Sequence, residues 1–69
     1  MTDDEILEAL CRQCGVGMRA LLGETRDRKT VGARRAIATA LREQAGWVIP
    51  RIARTLRVGE RSVYRMLGR

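Results

Sequence analysis

The chain has no histidine and no phenylalanine, and only one tryptophan, one tyrosine, one proline and one lysine among its 69 residues. Without histidine there is no imidazole for acid–base or nucleophilic work, and none to complete a metal site. Cys11 and Cys14 stand in a C-x-x-C spacing, but zinc takes about four ligands and no second pair exists. A redox motif would need a strand–helix context, which is absent. Both thiols fall on the apolar side of the first helix, where cysteine packs as a small hydrophobe; an intermolecular metal or disulfide is the other reading. No glycine-rich phosphate loop is present, since Gly15-Val16-Gly17 is short and joins two helices. Asp3, Asp4 and Glu5 read as a helix start rather than an acid/base pair. No enzymatic activity, cofactor or small-molecule substrate is expected.

No apolar run approaches the roughly 20 residues that span a bilayer, so no membrane association is expected. The acidic opening MTDDEILEAL resembles neither a secretory signal nor a transit peptide. A cytoplasmic protein follows, bacterial and nucleoid-associated or phage-encoded. With so few aromatics, the core falls to Leu, Ile, Val, Ala and Met, as in small helical domains. The length allows one domain, 1–69, with a modest core.

What the chain does have is positive charge, placed unevenly. The net charge is +6; residues 1–25 contribute −3 and residues 26–69 contribute +9. Such a field points to a polyanion. Thirteen of the fourteen bases are arginine, the side chain that forks onto phosphates and guanine edges at two points. GC-rich codon usage also favours arginine over lysine, but it does not account for the asymmetry.

The apolar spacing predicts an all-α chain of about five helices. Thr2 and Glu5 form a capping box for a first helix that ends at Gly15 and buries Leu7, Leu10, Cys11 and Cys14. A short second helix over 17–22 turns Met18, Leu21 and Leu22 inward. Thr30 is placed to cap a third helix over 31–45, with Ala33, Ala36, Ile37, Ala40 and Leu41 inward and Arg34, Arg35, Thr39 and Arg42 outward. Pro50 suits the first turn of a fourth helix. There Ile49, Ile52, Ala53 and Leu56 lie at i, i+3, i+4 and i+7. Gly59 can start a fifth helix, 60–67, with Val63, Met66 and Leu67 inward. Two short helices joined by a tight turn, with the small Ala53 allowing a close crossing, are the layout of a helix-turn-helix over 49–67.

The outward residues of that last helix, Glu60, Arg61, Ser62, Tyr64 and Arg65, suit a DNA major groove. Arg61 and Arg65 read as base or phosphate contacts, against a solvated helix face. Glu60 reads equally as an acceptor from a cytosine amino group or as a charge at the helix N-terminus. Ser62 is a phosphate donor or an exposed first-turn serine. Tyr64 meets a phosphate or a thymine methyl, or lies over the domain surface. Arg26, Arg28, Lys29, Arg34 and Arg35 form the densest basic cluster and read as a phosphate clamp. Arg51 and Arg54 are expected on the exposed side of the fourth helix, beside the groove. Trp47 is expected as a core lid between the third and fourth helices.

The run LLGETRDRKTVGARRAIATALREQAGWVIPRIARTL resembles the C-terminal duplex-binding domain of the bacterial replication initiator DnaA. The matching parts are Leu21-Leu22, Arg26-x-Arg28, Ala33-Arg34, Ala45-Gly46 and Ile49-Pro50-x-Ile52, in the same order and without a gap from Ala33 to Leu56. The resemblance covers roughly 50 residues and implies a compact helical domain of the Trp-repressor type. It implies backbone contacts for Arg26, Arg28 and Lys29, a minor-groove position for Arg34, and a major-groove position for the last helix. The family opens that helix with Asp-His-Thr, whereas this chain has Gly59-Glu60-Arg61-Ser62 and a turn one residue shorter. The initiator's nucleotide-hydrolysing module has no counterpart. Arg57 stands where such turns often carry glycine, so a turn of different geometry is expected.

Sequence-specific binding of double-stranded DNA, in the service of transcription or replication, is the function expected. A protein-interaction module for an acidic partner is the alternative from another class, and structured-RNA binding a third. A homodimer on half-sites about 34 Å apart would strengthen a single small motif, and the acidic first helix offers a surface for a protein partner.

Overall fold

The computed structural model describes residues 1–23 and 27–68, which form five α-helices and no strand. They are α1 (Asp3–Cys14), α2 (Met18–Leu22), α3 (Arg28–Glu43), α4 (Ile49–Leu56) and α5 (Glu60–Met66). The radius of gyration, 10.7 Å, matches the roughly 11 Å of a compact chain this long. α3 is the central element and touches all four others.

α1 begins as its sequence dictates. The Thr2 hydroxyl accepts from the Glu5 backbone N–H at 3.2 Å, and the Glu5 carboxylate accepts from the Thr2 N–H at 3.3 Å. Its three first-turn acids face the positive end of the helix dipole. It stops at Gly15 in a left-handed conformation, φ +71°, where the N–H groups of Gly15 and Val16 return to the carbonyls of Arg12 and Cys11.

The cap of α3 differs from expectation. Asp27, not Thr30, begins the helix, so α3 starts three residues early. The Asp27 carboxylate accepts from both the backbone N–H and the hydroxyl of Thr30, each at 2.9 Å. An ionised acceptor outcompetes a hydroxyl for a helix's free N–H groups, and it leaves Thr30 buried as its ligand. The inward arc also shifts. Ala33, Ile37, Ala38 and Leu41 are buried, while Ala36 is exposed and Ala40 only half-buried. Alanines on both sides of Ile37, and another before Leu41, gave the sequence pattern no way to orient the arc. The helix ends at Glu43, two residues sooner than its periodicity suggests.

The core draws on every helix: Leu7 and Cys11 from α1, Leu21 from α2, Ile37 and Leu41 from α3, Ile52 and Leu56 from α4, Val63 from α5. Trp47 joins it, 5% exposed, between α3 and α4. Its N–H donates to the Leu41 carbonyl at 2.9 Å, and its own carbonyl accepts from Arg42 at 3.0 Å. Arg42 is therefore half-buried rather than outward. The two free thiols behave as packing groups: Cys11 is buried with its Sγ 3.7 Å from the Met18 Sδ, and Cys14 is half-buried. Burial foremost, and then Cys14 and Glu8, push the Cys11 thiol pKa up. No helix among the described residues is long and apolar enough to cross a membrane.

Between α4 and α5 lie three residues, Arg57, Val58 and Gly59. The expectation of an altered turn is overturned. Arg57 itself takes the left-handed conformation, φ +58° and ψ +43°, the one non-glycine residue with positive φ among those described. Its N–H and that of Val58 return to the carbonyls of Arg54 and Ala53, at 3.3 and 3.0 Å. This is the closure made at Gly15, with an arginine in the glycine's place. A left-handed residue with a side chain costs roughly 1–2 kcal/mol, part of which glycine's greater chain entropy offsets. Arg57→Gly is therefore expected to stabilise the fold by about 0.5–1 kcal/mol, raising Tm by several degrees. Arg57→Ala, which keeps the strain, is expected to bring no such rise. Thermal denaturation followed by far-UV circular dichroism checks both, and a fall in Tm for the glycine variant would contradict the strain.

Candidate nucleic-acid interface

Helix dipoles sort the charges of this molecule into those the fold rewards and those it does not. Acids belong near a helix N-terminus and bases near its C-terminus, each worth about 0.3–1 kcal/mol. α1 obeys, with Asp3, Asp4 and Glu5 in its first turn and Arg12 in its last. α3 does not. Its first turn holds Arg28 and Lys29 and no acid. These two charges oppose the dipole, with the Asp27 carboxylate of the N-cap beside them to offset it in part.

Arg28 lies on the same side of α3 as Val31 and Arg35, where the three and Gly32 line a shallow depression of about 300 Å³. A second depression, of about 200 Å³, opens between α3 and α5 and is lined by Val31, Arg34, Arg35, Ser62, Arg65 and Met66. A third, of about 580 Å³, continues to the end of α2 and the α4–α5 turn, lined by Leu21, Leu22, Gly23, Arg34, Leu56, Arg57, Val58 and Ser62. Shared residues make the three contiguous. Five arginines line them, and among the described residues no acid does. Two acids line a separate depression on α1, bounded by Met1, Glu5, Glu8, Ala9 and Arg12. Only two ion pairs occur among the described residues, Arg12–Glu8 and Arg51–Asp3, so none of these five arginines is neutralised by an acid there.

The structure thus brings together Arg28, Arg34, Arg35, Ser62 and Arg65 from the residues singled out by sequence. Glu60, Arg61 and Tyr64 are exposed on α5, with Tyr64 44% exposed, outside the depressions. Arg61 and Arg65, one turn apart, form an outer ridge. Lys29 leans away, its Nζ 4.0 Å from where a Cβ on Gly15 would stand, by the C-terminal end of α1. Arg26 lies outside the described residues.

Two arginines have structural commitments that spacing did not reveal. Arg34 is half-buried rather than outward. Its Nε donates to the Leu21 carbonyl at 3.0 Å and an Nη to that of Gly23 at 2.9 Å, closing the free carbonyl end of α2. Arg51 is not on a free face either. It grips the Asp3 carboxylate through two nitrogens, at 2.8 and 3.3 Å, and lies 3.8 Å over the Trp47 ring. It is a clamp between α1 and α4, a use of planar guanidinium that lysine could not supply. Arg54, also on α4, is exposed as expected.

Sequence reasoning noticed Arg57 only as a problem for the turn and did not count it among interface residues. Its place between the two last helices, next to the basic face, was the available signal. Comparison of this chain with family models, with curated proteins and with solved structures gave no match.

The hydrogen bond from Arg51 holds the Asp3 carboxyl below the ordinary carboxylate range, with burial opposing and the charges of Arg51 and Arg54 assisting. A depressed folded-state pKa means stability that is present above the unfolded value, about 3.9, and lost as pH falls through the folded one. Asp27, lowered chiefly by its bond from the Thr30 N–H, titrates in the same window and direction. Asp3→Asn is therefore expected to lower Tm at neutral pH, with the gap from wild type closing as the pH falls below the ordinary carboxylate value of about 3.9. Melting curves across that range check it; a gap unchanged in acid would show that the ion pair is not its source.

Proposed function

We propose that this chain binds duplex DNA, with α4 and α5 acting as a helix-turn-helix and α5 entering the major groove. The observation that carries the reading is the contiguous basic face between α3 and α5, lined by five arginines and, among the described residues, by no acid. α5 spans about 10 Å at 1.5 Å per residue and presents Glu60, Arg61, Tyr64 and Arg65 to solvent. A major groove about 12 Å wide admits such a helix. In this arrangement Arg61 and Arg65 read base edges. Arg28 and Arg35 hold the flanking phosphates, and Lys29 and the exposed Arg54, which lie off this face, add longer-range attraction.

The resemblance to the duplex-binding domain of DnaA supports the same reading through its order of parts. It does not carry over the target sequence, because the Asp-His-Thr opening of the recognition helix is missing. Arg34, which the resemblance places in the minor groove, would have to keep its grip on α2 while reaching DNA with its remaining nitrogen. A role for Arg51 on the phosphate backbone is dropped here, since its guanidinium is occupied.

Neutralising five or so phosphates predicts that the logarithm of affinity falls against that of salt with a slope of about −4 to −5. Arg61→Ala is expected to cost about 1–3 kcal/mol on the preferred site and to relax base preference. Lys29→Ala is expected to weaken all duplexes alike. Selection from a random duplex pool, followed by titrations of wild type and both variants, measures these quantities. A wild-type protein that retards no duplex, yet captures an acidic protein partner, would overturn the proposal in favour of a protein-interaction module.

A further inference from the structure

Strain is retained at Arg57 where the fold offers no return for it. The residue sits at φ +58°, a conformation glycine takes at no steric cost. Its side chain is exposed, and it takes part in neither ion pair among the described residues. Neither the core nor the charge balance of the fold therefore explains an arginine here. Non-glycine residues held left-handed tend to cluster at binding sites, and the inference runs from such an outlier to a role.

The position of the side chain supplies that role. Arg57 lines the largest depression together with Arg34 and Ser62, on walls that include Leu22 and Val58. Arg34 is fixed there, since Nε and one Nη are tied to the end of α2. Ser62 stands in the first turn of α5 and is half-buried. A depression of about 580 Å³ is large for a lone phosphate and falls within the roughly 300–1,000 Å³ of small-ligand sites. Two guanidinium groups and a hydroxyl beside leucine and valine match a phosphate that carries its sugar.

We infer that Arg57 is a phosphate-gripping residue, and that with Arg34 and Ser62 it holds one backbone phosphate of the duplex, the attached sugar lying against Leu22 and Val58. The inference rests on the duplex-binding reading and adds to it a residue and a site. The turn keeps its arginine at the expense of its own conformation because the charge is needed where the turn puts it.

Arg57→Gly, Arg57→Asn and Arg57→Lys separate the charge from the backbone. Asparagine tolerates the left-handed conformation without the positive charge, and lysine keeps the charge with the strain. Titrations against a fluorescent mixed-sequence duplex between about 50 and 200 mM salt measure affinity and salt slope together. The glycine and asparagine variants are expected to bind about three- to tenfold more weakly on every sequence, with a slope shallower by about 1. The glycine variant does so while melting higher than wild type, and lysine restores most of the slope. A glycine variant with wild-type affinity and slope overturns the inference and leaves the duplex-binding reading intact. Weaker binding by the glycine and asparagine variants with an unchanged salt slope overturns it as well, since no phosphate contact is then lost. A wild-type protein that binds no duplex sinks both.

Discussion

The closure of α4 decides where the last helix can go. Two backbone N–H groups, on Arg57 and Val58, turn back onto the carbonyls of Arg54 and Ala53, and the chain reverses within three residues. That reversal lets Val63 drop into the core beside Ile52 and Leu56, and it lets Met66 and Leu67 pack against the same cluster. α5 is only seven residues long, too short to hold helical form in water by itself. Its shape is borrowed from the turn behind it and the core beneath it. Every exposed group on α5 is aimed by a bend that a single left-handed arginine sustains.

Around that bend, charge divides into two populations. One is internal bookkeeping: Asp3 with Arg51, Arg34 with the end of α2, Arg42 with Trp47, each a guanidinium spent on tying helices together. The other has no internal use. Arg28, Arg35, Arg57 and Arg65 border depressions that no acid among the described residues lines, and they take part in neither ion pair found there. Repulsion among unpaired like charges works against a chain of this size.

How much of this was legible beforehand follows from how far each signal reaches along the chain. Local chemistry was readable. The Thr2–Glu5 box, the Gly15 stop, Pro50 at the start of α4 and the apolar stripe from Ile49 to Leu56 depend on neighbours within one or two turns, and the structure has them in place. The misreadings arose where two local candidates competed or where the partner was distant. Asp27 and Thr30 both suit a cap, and only geometry shows that one serves the other. Ala36 and Ala38 are chemically identical, so their faces could not be told apart. Arg51 meets an acid 48 residues away, and Arg34 meets carbonyls 11 and 13 residues away, which no periodicity encodes. Of the candidate interface, Arg28, Arg35 and Arg65 were visible in the sequence; the left-handed Arg57 was not, because a strained turn looks in a sequence like a turn of another kind.

The arginine-lined face has a consequence for how the molecule would sense its surroundings. Guanidinium groups stay protonated at any pH a cell visits, and the chain contains no imidazole, the side chain that changes charge near neutrality. Acidification would leave the strength of this face untouched. Dissolved ions would not, since they screen exposed charges over about a nanometre at ordinary ionic strength. Ionic strength, rather than acidity, is the variable to which the field of this face answers.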